Sequence, residues 1–119
     1  MNKLRIATHV REQFEQKKVD KEELKLLYLA YSPIEDIDTF LEEAQKLFPK
    51  LNCGLATVLL KKHFPEGEIM QGKYGDNNHT FLLLDGIVID ITADQYGGPK
   101  VYVGPLKESW TLRSAPVSP

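Results

Sequence analysis

The sequence predicts an α+β fold in which N-terminal helices pack on a small antiparallel sheet. Three observations carry that expectation. Apolar residues recur at helical spacing through the first half, as Ile6, Val10 and Phe14 and again as Ile37, Phe40, Leu41, Ala44 and Phe48. The second half switches to short aliphatic runs, His79–Leu84 and Ile87–Thr92. Between them stands Asp85-Gly86, a dipeptide that tolerates positive φ at both positions of a two-residue hairpin turn. Finally, 119 residues suit one domain with a sizeable core, spanning 1–119, with no repeat or long linker.

The elements follow in order. Met1–Lys18 reads as a helix. Its Arg5, Arg11, Lys17 and Lys18 are interrupted by Glu12 and Glu15, which suits a solvated face better than a nucleic-acid footprint; His9 reads as a surface or packing residue. Asp20 caps a second helix, with Glu23 completing a capping box and Leu24, Leu27, Tyr28 and Tyr31 on its apolar side. Ser32-Pro33 breaks it. A third helix is expected over Pro33–Phe48, with Pro33 at its start, where the missing amide proton costs little. Glu35, Asp36, Asp38, Glu42 and Glu43 lie around that helix without a paired histidine motif, so they read as a wet face rather than a metal cluster.

Pro49 ends the third helix, and Lys50–Asn52 leads to Cys53. Leu55–Phe64 reads as a helix packed inside the fold, with Cys53 at or just before its N-terminus. Pro65-Glu66-Gly67 stops it. Glu68–Lys73 is a further strand, and Tyr74–Asn78 a polar turn. After the hairpin, Ala93–Lys100 is expected as a loop and Val101–Val103 as a short strand broken by Gly104-Pro105. Trp110 reads as a late packing anchor, and 114–119 as a loose tail.

Composition removes several classes of function. Fifteen basic against seventeen acidic residues leave a formal charge of −2, too weak a field to attract nucleic acid or an anionic membrane. A single cysteine forms no internal disulfide and supplies too little for a cysteine zinc cluster, and a reducing compartment keeps its thiol available. There is neither an apolar signal segment nor a run of about 20 apolar residues, so no membrane association is expected. Cytoplasmic residence is the expectation, or delivery by a signal-independent route. Neither dinucleotide nor phosphate loop motif occurs, and the three histidines lack metal-ligand spacing. A metal held by His79, Asp90 and Asp94 is chemically conceivable, but a histidine with its orienting carboxylate already accounts for the first two. No cofactor or metal is expected.

The chemistry-bearing residues are Cys53, His79 and Asp90. Counting outward from the Asp85-Gly86 turn pairs Leu84 with Ile87, Leu83 with Val88, Leu82 with Ile89 and Phe81 with Asp90. His79, Phe81 and Leu83 then share a face with Val88, Asp90 and Thr92. His79 and Asp90 become diagonal neighbours about 7–8 Å apart at the backbone, within reach for a carboxylate to orient an imidazole. A slip of one residue would put Asp90 on the other face. Cys53 at a helix start meets exposed amide protons and the positive end of the helix dipole, both of which favour thiolate. Nucleophile, base and orienting acid in that order point to a thiol-dependent hydrolase of amide, peptide or related acyl bonds, acting through a thioester on a protein or peptide substrate.

At Cys53-Gly54, His79 and Ile89-Asp90-Ile91-Thr92, the span Leu51–Tyr96 resembles the papain-like and transglutaminase-like cysteine-enzyme group. The resemblance implies Cys53 as nucleophile, His79 as general base and Asp90 as the base-orienting acid, within a minimal version of that helix-then-sheet core. The chain departs from papain in being short and in having no glutamine before Cys53 to complete an oxyanion hole. Asn52, Gln95 and Tyr96 are the candidates for that role or for a substrate loop. The group includes peptidases, amidases, deamidases and acyltransferases, so a protein glutamine deamidase or an acyltransferase with the same triad stays open. So does a catalytically inactive binding module, using Tyr74, Tyr96, Tyr102 and Trp110 as its surface. The oligomeric state is not readable from the sequence.

Overall fold

The computed structural model describes residues 2–112; the tail expected over 114–119 lies outside them. Four helices precede the sheet: α1 (Lys3–Glu15), α2 (Lys21–Tyr31), α3 (Ile37–Leu47) and α4 (Cys53–His63). Three begin at a side-chain cap. Asn2, Asp20 and Asp36 accept from the first free amides of α1, α2 and α3. The capping box at Asp20 is only half made, because Glu23 pairs with Lys62 at 2.6 Å instead of reaching back. The third helix starts at Ile37, not at Pro33. Asp36 fixes that start by accepting from both the backbone and the hydroxyl of Thr39.

Helix α4 runs through the centre. Leu55, Ala56, Thr57, Val58, Leu59 and Leu60 are all buried, so no continuous face is left for solvent. The apolar five of these join Ala7 and Val10 of α1, Leu24 of α2, and Ile37, Leu41 and Ala44 of α3 in one core. Leu82, Ile89 and Ile91 close that core from the sheet side. Each such side chain, fully buried, contributes about 1.5–3 kcal/mol, so this helix-on-sheet contact dominates the stability.

The sheet holds β1 (Glu68–Tyr74), β2 (Asn77–Leu84), β3 (Ile87–Asp90), β4 (Tyr102–Pro105) and β5 (Trp110–Thr111), in the order β4-β3-β2-β1-β5. All neighbours are antiparallel, and Leu84 pairs with Ile87, Leu83 with Val88 and Leu82 with Ile89. Asp85 and Gly86 both have positive φ, 50° and 78°, as a two-residue hairpin of this hand requires. The outermost strands would stand about 19 Å apart in a flat five-stranded sheet. Instead, Tyr102 of β4 stacks on Trp110 of β5 with ring centroids 4.1 Å apart. The sheet therefore curls toward a barrel. Its outer face meets the helices, and its inner face carries Phe81, Val88, Ala93 and Trp110.

Several boundaries differ from the sequence reading for local reasons. Strand β3 stops at Asp90 rather than Thr92, because the Asp90 carboxylate accepts from the Thr92 amide and turns the chain. Asn77 and Asn78 belong to β2, leaving Gly75-Asp76 as the turn. Gly104 and Pro105 end β4 rather than break it; Pro105 sits opposite Ile87 on an edge strand, where a missing donor is tolerated. The expected loop after β3 opens with a 3-10 helix, Ala93–Tyr96.

The largest correction concerns Arg11. It does not belong to a solvated face: it is 5% exposed. Its guanidinium makes paired bonds of 2.7 and 2.8 Å to the two Asp94 oxygens, donates to the Ile91 carbonyl, and lies over the Phe48 ring. This one side chain ties α1 to the turn after β3 and to the end of α3. Replacing Arg11 with Met should strand the Asp94 carboxylate and destabilise the fold by about 3 kcal/mol, the scale for removing one partner of a buried pair. Urea unfolding measures this as a lowered midpoint. An unchanged midpoint would mean that the ion pair contributes nothing net.

Candidate active site

Asp90 and His79 are the most enclosed polar pair of the sheet, 1% and 2% exposed. His79 enters from β2 and Asp90 from β3, both on the inner face, as the hairpin parity requires. His79 Nε2 lies 2.7 Å from Asp90 Oδ2. The same oxygen accepts the indole N–H of Trp110 at 2.7 Å, and Oδ1 accepts the Thr92 amide at 2.9 Å. A buried carboxylate is tolerated only when its lone pairs are occupied, and here three donors from three segments occupy them.

That geometry leaves the other imidazole nitrogen, Nδ1, buried and without a hydrogen-bond partner among the described residues. Cys53 stands close enough to the His79 side chain to interact with it electrostatically. In this resting arrangement the two do not meet hydrogen-bond geometry, a looseness common before substrate binds. Cys53 is the first residue of α4 and half-buried. The Thr57 hydroxyl, one turn on, donates to the Cys53 carbonyl at 2.6 Å and lies 3.3 Å from the Thr80 carbonyl. It thereby fastens the start of α4 to β2, beside His79.

The electrostatics favour a charged pair. Burial pushes the Cys53 thiol up, but the His79 side chain and hydrogen bonding from Thr80 outweigh it, and the net pKa falls. Burial likewise pushes the His79 imidazolium down. Its bond to Asp90 and its proximity to Cys53 more than reverse this, raising it to about 9. Each group thus moves toward its ionised form, thiolate and imidazolium.

An open cleft of about 200 Å³ lies at this point, lined by Cys53, Gln71, Gly72, Asn78, His79 and Thr80. Gly72 sits directly across from His79 in the β1–β2 register. A Cβ there would stand 2.4 Å from the Thr111 carbonyl and 2.9 Å from the Phe81 ring, so glycine is what lets β5 come in so close.

The remaining sequence candidates separate. Tyr96 flanks the site, its ring edge-on to His79 at 5.5 Å, and its hydroxyl donates to the Asn78 carbonyl. Asn52 does not serve as an oxyanion donor. It is 2% exposed, and its amide hydrogens go to the Ala44 and Lys50 carbonyls, holding the turn before α4. Gln95 does not line the cleft, and its Nε2 is buried without a partner among the described residues. Asp94 is taken up by Arg11, so His79, Asp90 and Asp94 do not converge on a metal. Trp110, expected as a packing anchor, also completes the Asp90 environment. Tyr74 and Tyr102, both partly buried, pack against Trp110 in the inner cluster. The sequence carried no signal for the indole bond beyond a late lone tryptophan. Thr57 was visible only as a threonine four residues after the cysteine.

Substituting Trp110 with Phe keeps an aromatic ring against Tyr102 and Tyr74 but removes the N–H. Loss of a hydrogen bond to a charged group should cost about 2 kcal/mol of stability. With one donor fewer, Asp90 holds the imidazolium proton more strongly. The His79 titration, followed by NMR, should therefore move above its value of about 9. A titration that stays put or falls would deny Trp110 any influence on the pair.

Among the described residues, no helix is long and apolar enough to cross a membrane. Comparison with protein-family models, with curated proteins and with solved structures finds no match to this chain.

Proposed function

We propose that the protein is a thiol-dependent acyl hydrolase in which Cys53 is the nucleophile, His79 the proton carrier and Asp90 the orienting acid. One observation carries the reading. The buried Asp90 carboxylate holds His79 through Nε2, its Nδ1 has no partner among the described residues, and the same side chain lowers the pKa of nearby Cys53. A core histidine that served packing alone would need no such poise, and a cysteine that served packing alone would not line a cleft at a helix N-terminus.

In this mechanism the Cys53 thiolate attacks a carbonyl carbon. The new C–S bond sends the carbonyl π electrons onto oxygen. The oxyanion collapses, the C–N bond breaks, and His79 gives its proton to the departing nitrogen. The product is a thioester on Cys53 and a free amine. Neutral His79 then takes a proton from water, the hydroxide attacks the thioester, and the acid leaves as the thiolate–imidazolium pair returns. No cofactor enters this sequence. Attack by an amine instead of water would make the same site an acyltransferase, and a glutamine side chain in place of a peptide bond would make it a deamidase. An open cleft across β1, β2 and the start of α4 suits a protein or peptide substrate. A nucleophilic thiol fits a reducing location, the cytoplasm or one reached by a signal-independent route.

Two labelling reactions test the reading. Alkylation of Cys53 by iodoacetamide should be faster at neutral pH than that of an ordinary thiol, and should stay fast above pH 9, where thiolate persists. Acylation by an amide probe should rise as the pH passes the lowered Cys53 value. It should then fall above about 9, where His79 loses the proton that the leaving nitrogen needs. His79→Ala should slow acylation by about 100-fold or more. Asp90→Asn should slow it too. Labelling of folded wild type at the rate of free cysteine, alike in all three proteins, would end the hydrolase reading and favour an inactive binding module.

A further inference from the structure

Acyl chemistry at Cys53 needs a second hydrogen-bond donor for the oxyanion, and the residues around the cleft narrow the choice. The first amides of α4 supply one donor, since its first intrahelical bond runs from Ala56 to the Asn52 carbonyl and leaves the preceding N–H groups free. Asn52 has no amide hydrogen to spare, the Tyr96 hydroxyl is given to Asn78, and one of the two Gln71 amide hydrogens goes to the Tyr31 hydroxyl.

Tyr28 stands differently. It comes from the last turns of α2 and rests on the first turn of α4. A Cβ built on Gly54 would lie 3.1 Å from the Tyr28 ring carbon Cε1 and 3.7 Å from its hydroxyl oxygen. Gly54 is therefore the residue that lets the phenol approach the helix end just after the nucleophile. Phe40 holds the ring from behind, with centroids 5.4 Å apart.

The geometry points to the Tyr28 hydroxyl as the second oxyanion donor for acyl transfer at Cys53, acting beside the free amides of the first turn of α4. This rests on the hydrolase reading and extends it. The phenol stands at Gly54 in the first turn of α4, next to the nucleophile in sequence, whereas Asn78 and His79 stand side by side on β2. Burial raises the Tyr28 pKa, Tyr31 and the charge on Cys53 raise it further, and Ser32 opposes them. The phenol thus keeps its proton and can donate.

The test exploits a difference between two reactions of one thiolate. Alkylation by iodoacetamide displaces iodide at carbon and forms no oxyanion. Acylation by an activated ester or anilide passes through one. Both are followed by intact-protein mass in wild type, Tyr28→Phe and Asn78→Ala. Tyr28→Phe keeps the ring against Gly54 and Phe40, so the fold and the alkylation rate should hold within about twofold. Its acylation should drop by about 100-fold or more, the usual effect of losing one oxyanion donor. Asn78→Ala, which alters the cleft lining but not the phenol, should lose far less acylation than Tyr28→Phe. Tyr28→Phe acylating at the wild-type rate, or losing both reactions equally, would overturn the assignment. So would a selective loss of acylation in Asn78→Ala instead. Wild type that alkylates quickly yet acylates no faster than free cysteine would overturn the hydrolase reading itself, a result separate from any behaviour of Tyr28.

Discussion

The buried Asp90 carboxylate is the constraint on which the rest of the structure depends. A charge this far from water is stable only if donors replace its hydration. His79, the Thr92 amide and Trp110 do so, and they come from β2, the turn after β3, and β5. Trp110 reaches Asp90 only because the sheet curls and brings its two edge strands together. Closure of the sheet and orientation of the imidazole are therefore one interaction seen from two sides. The short β5, paired with β1 through only Lys73 and Tyr74, is held in place as much by that indole bond and the Tyr102 stack as by its ladder.

The two faces of the sheet divide the work. Alternate residues Leu82, Ile89 and Ile91 point outward into the helical core, while Phe81, Val88 and Asp90 point inward. The helices thus never compete with the inner face for space. Their one contribution to it is the N-terminus of α4, which the Thr57 hydroxyl ties to β2 at Thr80. A thiol on a rigid, buried helix and an imidazole on a rigid strand are set against each other with little freedom. That kind of support a reactive pair needs. Arg11 extends it by pinning Asp94, and with it the turn that carries Tyr96 against His79.

Much of this was legible in the residues, and the reason is locality. Asp85-Gly86 fixes the hairpin register, and parity then puts His79 and Asp90 on one face. Asn52-Cys53-Gly54 before a dense apolar run marks the start of α4. What escaped the sequence depends on long-range placement. Arg11 on an amphipathic helix reads as solvated unless its partner 83 positions later is known. Trp110 cannot be assigned to Asp90 without the curl of the sheet. Asn52 next to the cysteine invites a catalytic reading, yet buried carbonyls of Ala44 and Lys50 claim its amide. Gly54 and Gly72 look like ordinary loop and strand glycines until Tyr28 and Thr111 are seen pressing on them.

The charge pair also has a consequence for stability. The raised His79 pKa contributes stability in full below the ordinary imidazole value of 6.5, and the contribution is lost as pH rises through about 9. The lowered Cys53 pKa does the reverse: its contribution is present above the ordinary 9.0 and is lost as pH falls through the folded value. Above both 6.5 and the lowered thiol value, and below 9, the folded pair holds one proton, on His79. The unfolded chain in that same window also holds one, on the sulfur. Folding moves the proton from sulfur to nitrogen with no net uptake, so the pair adds no pH slope to stability there. Within that window the pair shifts toward thiolate without making the fold pH-sensitive. The Asp90 bond is the largest of the effects that raise the imidazolium against burial, with Cys53 adding to it, and so favours that transfer.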